Sequence, residues 1–427
     1  MTNKSVSGIG RDVLQSRLDI MLSRRSLLLG AGGLAAATAL PGLLTTNAFA
    51  QDGWTPEDIA EKFGSVEMAD SWHSLVLAII ADRAAGGEAA AKALGQTYRP
   101  VSAELNPGKQ VADIQAIANT GVPAFNCVPL EAPNVEAIYR AAAERGIPFT
   151  ASYNSPAWKT PVDYGPEYSG YFAMDDRAAG REMARRLFDH LEGKGTVIYL
   201  AGLAGATASN LRGAGIAEVL KEYPNIILAT EQNTDFSQAD AQAKMENLLG
   251  SISQIDGVLA ATDDIGIGAY NALRIRGEKR PIVSIDGGQQ VWELIRDGNY
   301  LGSVNGFSHW SGGYFLVRLF DVLHGWVPEP AERMMFWQTT WVDRSNAAIY
   351  LDAFYNGDLP YDFARMSRVL HPEDWDTQQQ LTPMDPNVLW QDDAKPDGYE
   401  LPAGYDAASI EKIGKLYADH WVTRQFT

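Results

Sequence analysis

Polar side chains end two predicted strands in the second half of the chain. An apolar run at 258–261 is typical of a short buried parallel strand, and Thr262 and Asp263 follow it directly. A second apolar run at 281–285 ends at Asp286. Because open α/β sheets bind ligands beyond the carboxyl ends of their strands, we expect these three side chains to share one binding edge. Two carboxylates and a hydroxyl suit a ligand rich in hydroxyl groups; helix capping and turn formation are the alternative roles.

Paired carboxylates also hydrolyse glycosides when they lie about 5–9.5 Å apart across the bond, so Asp263 and Asp286 raise an enzymatic alternative. The chain has no G-x-S-x-G elbow, no H-E-x-x-H helix and no cysteine–histidine pair. Cys127 is the single cysteine, and the six histidines are scattered without metal-ligand spacing. We therefore expect a binding protein without a metal or a cofactor, and not an enzyme.

Predicted strands and helices alternate from residue 63 to about 355, which favours parallel sheets covered by helices on both faces. The 427 residues are enough for two or three domains of roughly 100–200 residues each. The formal net charge is -18, which disfavours nucleic acid and anionic membrane surfaces as partners. The expected partner is therefore a small molecule, and no nucleic acid.

The first fifty residues have the features of an export signal. Arg24 and Arg25 precede a mildly apolar run rich in alanine, glycine and leucine, and the segment 47–50 is a small-x-small cleavage site. These features resemble a twin-arginine signal peptide over 1–50. A membrane anchor is the alternative, but the glycines and the proline between 27 and 44 make a poor spanning helix. We expect export to the periplasm, with the protein soluble after signal cleavage.

Six segments occur in an order that carries a family resemblance. They are NPGKQVADIQAIANTGV (106–122), ERGIPF (144–149), DDRAAGREMARRL (175–187), LRGAGIAEVLKEYPNI (211–226), the run from 258 to 286, and IDGGQQVWELIRDGNYLGSV (285–304). Together they make roughly two-thirds of the chain similar to the ribose-type (type I) periplasmic sugar-binding proteins, the solute receptors of ABC importers. Lactose-repressor-type regulators share that fold, but they carry a DNA-binding head and no export signal.

The resemblance implies two doubly wound α/β lobes with parallel sheets, joined by a hinge of three crossings near 165–170, 305–308 and 335. It divides the chain into a signal peptide at 1–50, lobe 1 at 58–166 with 307–335, lobe 2 at 167–306 with 336–355, and a C-terminal extension at 356–427. The extension goes beyond the usual family length. We expect it to be irregular chain wrapped on the lobes, closed by a helix from Ala407 to about Trp421.

The resemblance also assigns ligand-binding roles. Asp70 and Trp72 fall in a first-lobe loop where the family has a polar residue followed by aromatics, so Asp70 would accept ligand hydroxyls and Trp72 would stack on the ligand. Arg212 falls on the family's second-lobe arginine, and Asp286 falls on its aspartate. Asn305 or Phe307 lies near the family's hinge glutamine.

Two positions depart from the family pattern. Tyr153-Asn154 stands where the family usually has Asp-Arg, so an arginine that grips the sugar is missing and Asn154 would do part of its work. Thr262 stands where the family commonly has asparagine. These departures argue against assuming ribose as the ligand.

These observations predict a monomeric periplasmic receptor that captures a sugar or polyol between its lobes and delivers it to an ABC permease in the inner membrane. Lobe closure over the ligand is the expected mechanism. The alternatives are the same fold binding a nucleoside or a signalling furanose, the same fold feeding a sensor kinase, and a periplasmic enzyme.

Overall fold

A computed structural model of the chain describes residues 53–426, so the predicted signal peptide lies outside the described residues. The described part is built on one seven-stranded and one six-stranded sheet, each covered by helices. Among residues 53–426, none of the helices combines the length and the apolar character needed to cross a membrane.

The first lobe begins with the N-terminal third of the described chain. Its elements are α1 (Pro56–Phe63), β1 (Glu67–Trp72), α2 (Ala78–Ala93), β2 (Thr97–Ser102), α3 (Pro107–Asn119), β3 (Phe125–Cys127), α4 (Asn134–Ala143), β4 (Phe149–Ser152), α5 (Pro161–Tyr164) and β5 (Tyr168–Met174).

The second lobe follows without a break. Its elements are α6 (Asp176–His190), β6 (Lys194–Ala201), α7 (Thr207–Leu220), β7 (Asn225–Asn233), α8 (Gln238–Ser251), β8 (Gly257–Ala260), α9 (Asp263–Ile275), β9 (Ile282–Asp286), α10 (Gln289–Arg296) and β10 (Gly302–Asn305).

The chain then returns to both lobes and ends in the extension. These elements are α11 (Ser308–Leu323), β11 (Met334–Trp337), β12 (Thr340–Asp343), α12 (Ala347–Tyr355), β13 (Leu381–Pro383), α13 (Pro386–Leu389) and α14 (Ala407–Asp419).

The strand order confirms the predicted fold class. The first sheet runs β13-β11-β5-β4-β3-β1-β2 and the second runs β12-β10-β9-β8-β6-β7. Neighbouring strands are parallel except for the edge pairs β13–β11 and β10–β12, which are antiparallel. Parallel strands linked by right-handed crossovers need helices on both faces, and the alternating sequence pattern supplies them.

The hinge crossings differ in part from their predicted positions. β5 pairs with β4 and β11 in the first sheet, so the first crossing lies at residue 175 and the predicted lobe boundary at 166 and 167 is wrong. The physical reason is that 168–174 is a fully buried strand that fills the sheet position between β4 and β11. The second crossing at 306–307 lies within its predicted range, whereas the third lies at 338–339, between β11 and β12, a few residues after the predicted 335.

The start of the first lobe also differs. The alternation of strands and helices is predicted from residue 63 and a loop is predicted at Asp70 and Trp72, but α1 runs through Phe63 and β1 covers Glu67–Trp72. A capping box between Thr55 and Asp58 begins α1, and Gly64, with φ of 83°, ends it. The chain therefore enters the sheet later than the apolar pattern indicates, and the polar residues that follow Met68 lie within the strand.

Two pairs of helices pack through glycines at equivalent places in the two lobes. A Cβ at Gly312 of α11 would lie 1.9 Å from the Arg83 carbonyl oxygen of α2, and a Cβ at Gly180 of α6 would lie 2.2 Å from the Arg212 carbonyl oxygen of α7. Three residues after each arginine, Gly86 and Gly215 make the reciprocal close approach to the partner helix. Each of these two arginines therefore sits at the crossing point of a tightly packed helix pair.

The extension belongs to the body of the molecule. β13 adds an antiparallel edge strand to the first sheet, and this strand was not predicted. The expected closing helix is observed as α14. Trp375 and Tyr417 are buried with ring centroids 5.1 Å apart, and Phe426 lies 5.1 Å from Phe354 of α12 in the second lobe. The extension thus contacts both lobes.

Candidate functional site

A cavity of about 370 Å³ lies between the lobes, at the carboxyl ends of the strands of both sheets. This is the place at which open α/β sheets bind ligands. The polar and aromatic side chains that line it are His73, Arg83, Glu131, Tyr153 and Asn154 from the first lobe, and Arg212, Asp235, Phe236, Thr262, Asp264 and Asp286 from the second.

Arg212 lies at the cavity as predicted and is 3% exposed. Its Nε donates to Asp176 Oδ1 at 2.8 Å, and its Nη1 donates to the carbonyl of Ala261 at 2.5 Å. Its Nη2 lies 3.8 Å from Asp286 Oδ1. Burial lowers the pKa of Arg212, but the charges of Asp176 and Asp286 together raise it by more. The pKa therefore lies above its ordinary value, and the guanidinium stays charged.

Asp286 also lines the cavity as predicted. Burial raises the pKa of its carboxyl well above the usual value, and Arg212 works in the opposite direction. Its backbone has φ of 135°, a sparsely populated conformation for a residue with a Cβ. Such strain persists only where the surrounding structure imposes it, and Asp263 is the residue that holds the adjacent turn.

Asp263 is a structural residue in this fold. Its Oδ1 accepts from the hydroxyls of Ser284 and Ser303 at 2.6 and 2.7 Å, and its Oδ2 accepts from the backbone N–H groups of Gly287 and Gly288 at 2.9 and 2.8 Å. Burial raises its pKa to about 6 although these bonds oppose the rise. The prediction that Asp263 binds the ligand is not supported by this placement, because both oxygens are occupied in holding the turn after Asp286.

Thr262 combines the two roles considered for it. Its side chain caps α9 by accepting from the Ile265 N–H at 3.3 Å, and it also lines the cavity. Its hydroxyl group can still donate a hydrogen bond to an acceptor in the cavity.

Asn154 lies at the cavity and joins the lobes. Its Nδ2 donates to the carbonyl of Pro129 at 2.8 Å, and its Oδ1 accepts from the Thr207 N–H at the start of α7 at 3.0 Å. Because Pro129 belongs to the first lobe and Thr207 to the second, Asn154 is an interlobe contact. The adjacent Tyr153 has φ of 66°, a second strained position at the cavity.

Three predicted ligand contacts lie in the core instead. Asp70 is fully buried within β1 and accepts from the Tyr98 hydroxyl at 2.8 Å, while Trp72 Nε1 donates to the same hydroxyl at 3.1 Å. Trp72 packs with Val128 in a small apolar cluster. Asn305 Oδ1 accepts from the Phe307 N–H at 2.8 Å at the second crossing. The later start of β1 explains the first two misplacements, since the strand takes in the residues assigned to a loop.

Arg83 is a cavity residue that the sequence reasoning missed. It lies on α2, is 1% exposed and lines the cavity. Its Nη2 donates to the Tyr153 hydroxyl, and its guanidinium carbon lies 4.5 Å from the centroid of that ring. Its Nε and Nη1 are buried and have no hydrogen-bond partner among residues 53–426. A buried donor without a partner is costly, so these atoms are suited to a ligand oxygen.

A signal for Arg83 is present in the sequence. Arg83-x-x-Gly86 and Arg212-x-x-Gly215 share one spacing, and in both the glycine meets the partner helix. Arg83 also falls on the buried face of α2 together with Ile80 and Gly87. A buried cation on an otherwise apolar helix face needs polar partners, either in the protein or in a ligand. Asn154 stands where the family usually has an arginine, and Arg83 of α2 supplies an arginine to the cavity from a different element.

The arrangement has the chemistry of a binding site. Arg83 and Arg212 offer donors from opposite lobes, and Asp286 offers a carboxyl between them. Across the described residues 53–426, no group of three or more histidine, cysteine, aspartate or glutamate side chains is placed to hold a metal ion.

Comparison with known proteins identifies the family of this chain. A family model described as a periplasmic binding protein domain matches residues 80–322. The xylitol-binding protein of Mycolicibacterium smegmatis is 33% identical over 204 residues, which are 47% of this chain and 56% of that protein. The ribose import binding protein of Bacillus subtilis is 26% identical over 243 residues, covering 56% of this chain and 76% of that protein.

Solved structures agree with the fold. A twin-arginine translocation pathway signal protein from Burkholderia phytofirmans superposes with a TM-score of 0.66 and 29% identity, over 70% of this chain and 96% of that one. A galactofuranose-binding protein superposes with a TM-score of 0.62 over 68% of this chain and 99% of that one, at 23% identity, and supports the fold alone.

Proposed function

This chain belongs to the periplasmic binding protein family, and from that premise we propose that it captures a neutral hydroxylated solute, a sugar or polyol, in the interlobe cavity. We further propose that it acts in the periplasm, after cleavage of the signal at 1–50, and delivers the solute to the permease of an ABC transporter. Relatives named for xylitol, ribose and apiose support this substrate class.

The observation that carries the proposal is the meeting of Arg83, Arg212 and Asp286 at one cavity. Two arginines, Arg83 and Arg212, and four acidic residues, Glu131, Asp235, Asp264 and Asp286, line the cavity, so it offers hydrogen-bond donors and acceptors together. A neutral ligand with many hydroxyls matches this mixture, because each hydroxyl both donates and accepts. Hydrogen bonds to charged groups are the strong ones, and their burial between lobes strengthens them further.

The same geometry favours binding over glycoside hydrolysis. A glycosidase needs two carboxyls that both reach the scissile bond. Asp263 has both oxygens bonded to serine hydroxyls and backbone N–H groups, and Asp286 lies beside Arg212. We therefore assign no catalytic role to the Asp263–Asp286 pair.

The proposal is tested by thermal unfolding of residues 51–427 against a panel of sugars, polyols and nucleosides. A ligand at a hundred times its Kd raises the free energy of unfolding by about 2.7 kcal/mol, which is measurable as a higher Tm. A shift with a sugar or polyol, and its return unchanged, supports the proposal. A shift with nucleosides alone overturns the ligand class, a ligand that is chemically converted indicates an enzyme, and no shift contradicts the receptor function.

Delivery to a permease is tested in cells. Removal of the gene should abolish uptake of the radiolabelled solute identified in the panel, and export-competent protein should restore it. Unchanged uptake together with a changed transcriptional response to the solute would indicate a receptor for a sensor kinase instead. Sedimentation of the exported protein tests the expected monomer.

A further inference from the structure

Part of the lining of the interlobe cavity is apolar to an extent that a fully hydroxylated ligand does not require. Leu77, Ile79, Ile80 and Val128 pack in one apolar cluster of the first lobe. Together with Leu130, and with Ala206 and Ala208 at the start of α7, they are named here the aliphatic wall. The rings lining the cavity are those of His73, Tyr153 and Phe236. Sugar rings present both apolar C–H faces and polar edges, whereas an aliphatic wall offers nothing to hydroxyls.

The wall continues to the mouth of the cavity. Leu105 of the first lobe and Leu203 of the second both line the cavity, and each remains 40% exposed. Large aliphatic side chains that are exposed at a site, rather than scattered singly, mark a surface that an apolar group covers.

Contact between the lobes does not account for this wall. The lobes already touch through Asn154 Oδ1 and the Thr207 N–H, and through the Tyr355 hydroxyl, which donates to Asp82 Oδ2 at 2.6 Å. With these contacts made, a cavity of about 370 Å³ remains beside the wall. The space is therefore available to a ligand while the lobes are in contact.

The polar and apolar residues of the cavity come largely from different segments of the chain. Arg83, Arg212 and Asp286 form a polar cluster supplied by the middle of α2, the first half of α7 and the end of β9. The wall and its mouth residues come from the loops and helix starts around that cluster. A ligand that fills both parts must itself have a hydroxylated end and an apolar end.

We propose that the solute is an amphiphilic sugar derivative, such as an alkyl or aryl glycoside, whose apolar substituent lies against the aliphatic wall and points between Leu105 and Leu203. This inference rests on the proposed function, because it places the hydroxylated end at Arg83, Arg212 and Asp286. Each methylene of the substituent that is buried should tighten binding by about fourfold.

The test is isothermal titration of residues 51–427 with matched pairs. The probes are D-ribose, D-xylose, D-galactose and D-glucose, each compared with its methyl and phenyl β-glycosides. The expected result is that at least one phenyl glycoside binds at least tenfold more tightly than its parent sugar, with the methyl glycoside between them. A parent sugar that binds as tightly as its glycosides, or more tightly, overturns the inference.

Variants at the mouth separate the wall from the polar cluster. Leu105→Ser and Leu203→Ser, both at half-exposed positions that tolerate a polar residue, should remove most of the preference for the phenyl glycoside over its parent sugar. Ile275→Ser, at a position 63% exposed on the far end of α9, is the matched control and should retain the preference. A preference that survives both mouth substitutions overturns the placing of the substituent.

The outcomes also separate this inference from the function on which it rests. Binding of free sugars with rejection of the glycosides leaves the proposed function standing and overturns the amphiphilic ligand. Failure of every sugar and every glycoside to bind contradicts both.

Discussion

Each lobe contributes one buried arginine to the cavity, and the two differ in what they bind within the protein. Arg212 donates to Asp176 and to a backbone carbonyl, so much of its hydrogen-bonding capacity is used in fixing its own position. Arg83 keeps two buried donors without a partner in the described part of the chain. Arg83 should therefore gain the most from a ligand oxygen, and Arg212 should act mainly by orienting Asp286.

Replacement of Asp286 by asparagine should lower the affinity for the solute by roughly 10- to 150-fold. The substitution keeps the size of the side chain but removes a charge-assisted hydrogen bond, which contributes about 1.5–3 kcal/mol. The measurement is the Kd by isothermal titration, with Tm as the check on folding. Asp358→Asn, at an exposed position that does not line the cavity, is the matched control and should bind normally. An unchanged Kd for Asp286→Asn would remove Asp286 from the site.

Asp70 offers a prediction about pH rather than about binding. Burial raises its pKa to about 7 from an unfolded value near 3.8, although the Tyr98 hydroxyl opposes the rise. The folded protein therefore binds more protons at this site than the unfolded chain, so the free energy of unfolding falls as the pH rises from about 4 to about 7. This loss amounts to on the order of 4 kcal/mol at most.

The Asp70→Asn variant tests this, because asparagine can still accept from Tyr98 and does not ionise. We expect the Tm of the variant relative to that of the wild type to rise between pH 4 and pH 7. The difference between the two Tm values should stay constant above about pH 8. A Tm difference that does not depend on pH would show that Asp70 ionises with the same pKa in the folded and unfolded states and would contradict this prediction.

At the scale of secondary-structure elements, glycines set the positions of the two arginines. Gly312→Ala should destabilise the protein by about 1–3 kcal/mol, since the added methyl would overlap the carbonyl of Arg83 and force α2 away from α11. Binding should weaken as well, because α2 carries Arg83. The measurements are the denaturant midpoint and the Kd.

Gly250→Ala is the matched helical control for that prediction. Gly250 lies in α8, where the nearest atom to an added Cβ is the end of the flexible Arg276 side chain at 3.8 Å. The alanine should be neutral or stabilising by up to about 1 kcal/mol through helix propensity. If Gly312→Ala behaves like Gly250→Ala, the close crossing of α2 and α11 does not position Arg83.

The order of strands and helices could be predicted from the sequence, because parallel strands and the helices that connect them have strong local patterns. Apolar runs such as 258–261 fall on a strand, and capping residues such as Thr262 fall at the start of a helix. The strand at 168–174 was assigned to the wrong lobe, because its partners β4 and β11 are distant in the chain and no local pattern states which sheet it joins.

The site was only partly predictable for the same reason. Asp286 lies at a strand end that the pattern locates, and the family resemblance located Arg212, whereas Arg83 lies inside a helix and reaches the cavity only through the packing of α2 on α11. Asp70 and Trp72 were placed at the ligand because β1 was expected to end earlier than it does. An error of a few residues in a strand boundary is enough to move a side chain from the cavity to the core.

At the scale of the whole molecule, the extension is expected to be required for folding. It supplies β13 to the first sheet, and Arg318 of α11 donates to the Tyr417 hydroxyl of α14. Trp310 Nε1 donates to the Thr377 carbonyl at 2.8 Å. Removal of 356–427 should therefore give protein without a cooperative unfolding transition, as measured by circular dichroism during heating. Removal of 424–427 alone is the control and should leave a cooperative transition; a folded protein ending at 355 would contradict this account.

Export should depend on the arginine pair at the start of the chain. Replacing Arg24 and Arg25 together by lysine should leave the precursor in the cytoplasm, because twin-arginine signals are recognised through that pair. Cell fractionation and immunoblotting provide the measurement, and a single replacement of Arg17 is the control. Normal periplasmic recovery of the double variant would indicate another export route.

The measurement that tests the central claim most directly is a crystal structure of residues 51–427 with the solute identified by titration. The account predicts a hydroxylated ligand between the lobes, with ligand oxygens within about 3.2 Å of Arg83 Nε or Nη1 and of the Asp286 carboxyl. A ligand bound outside the interlobe cavity, or one inside it that leaves both Arg83 and Asp286 without a ligand contact, would contradict the account.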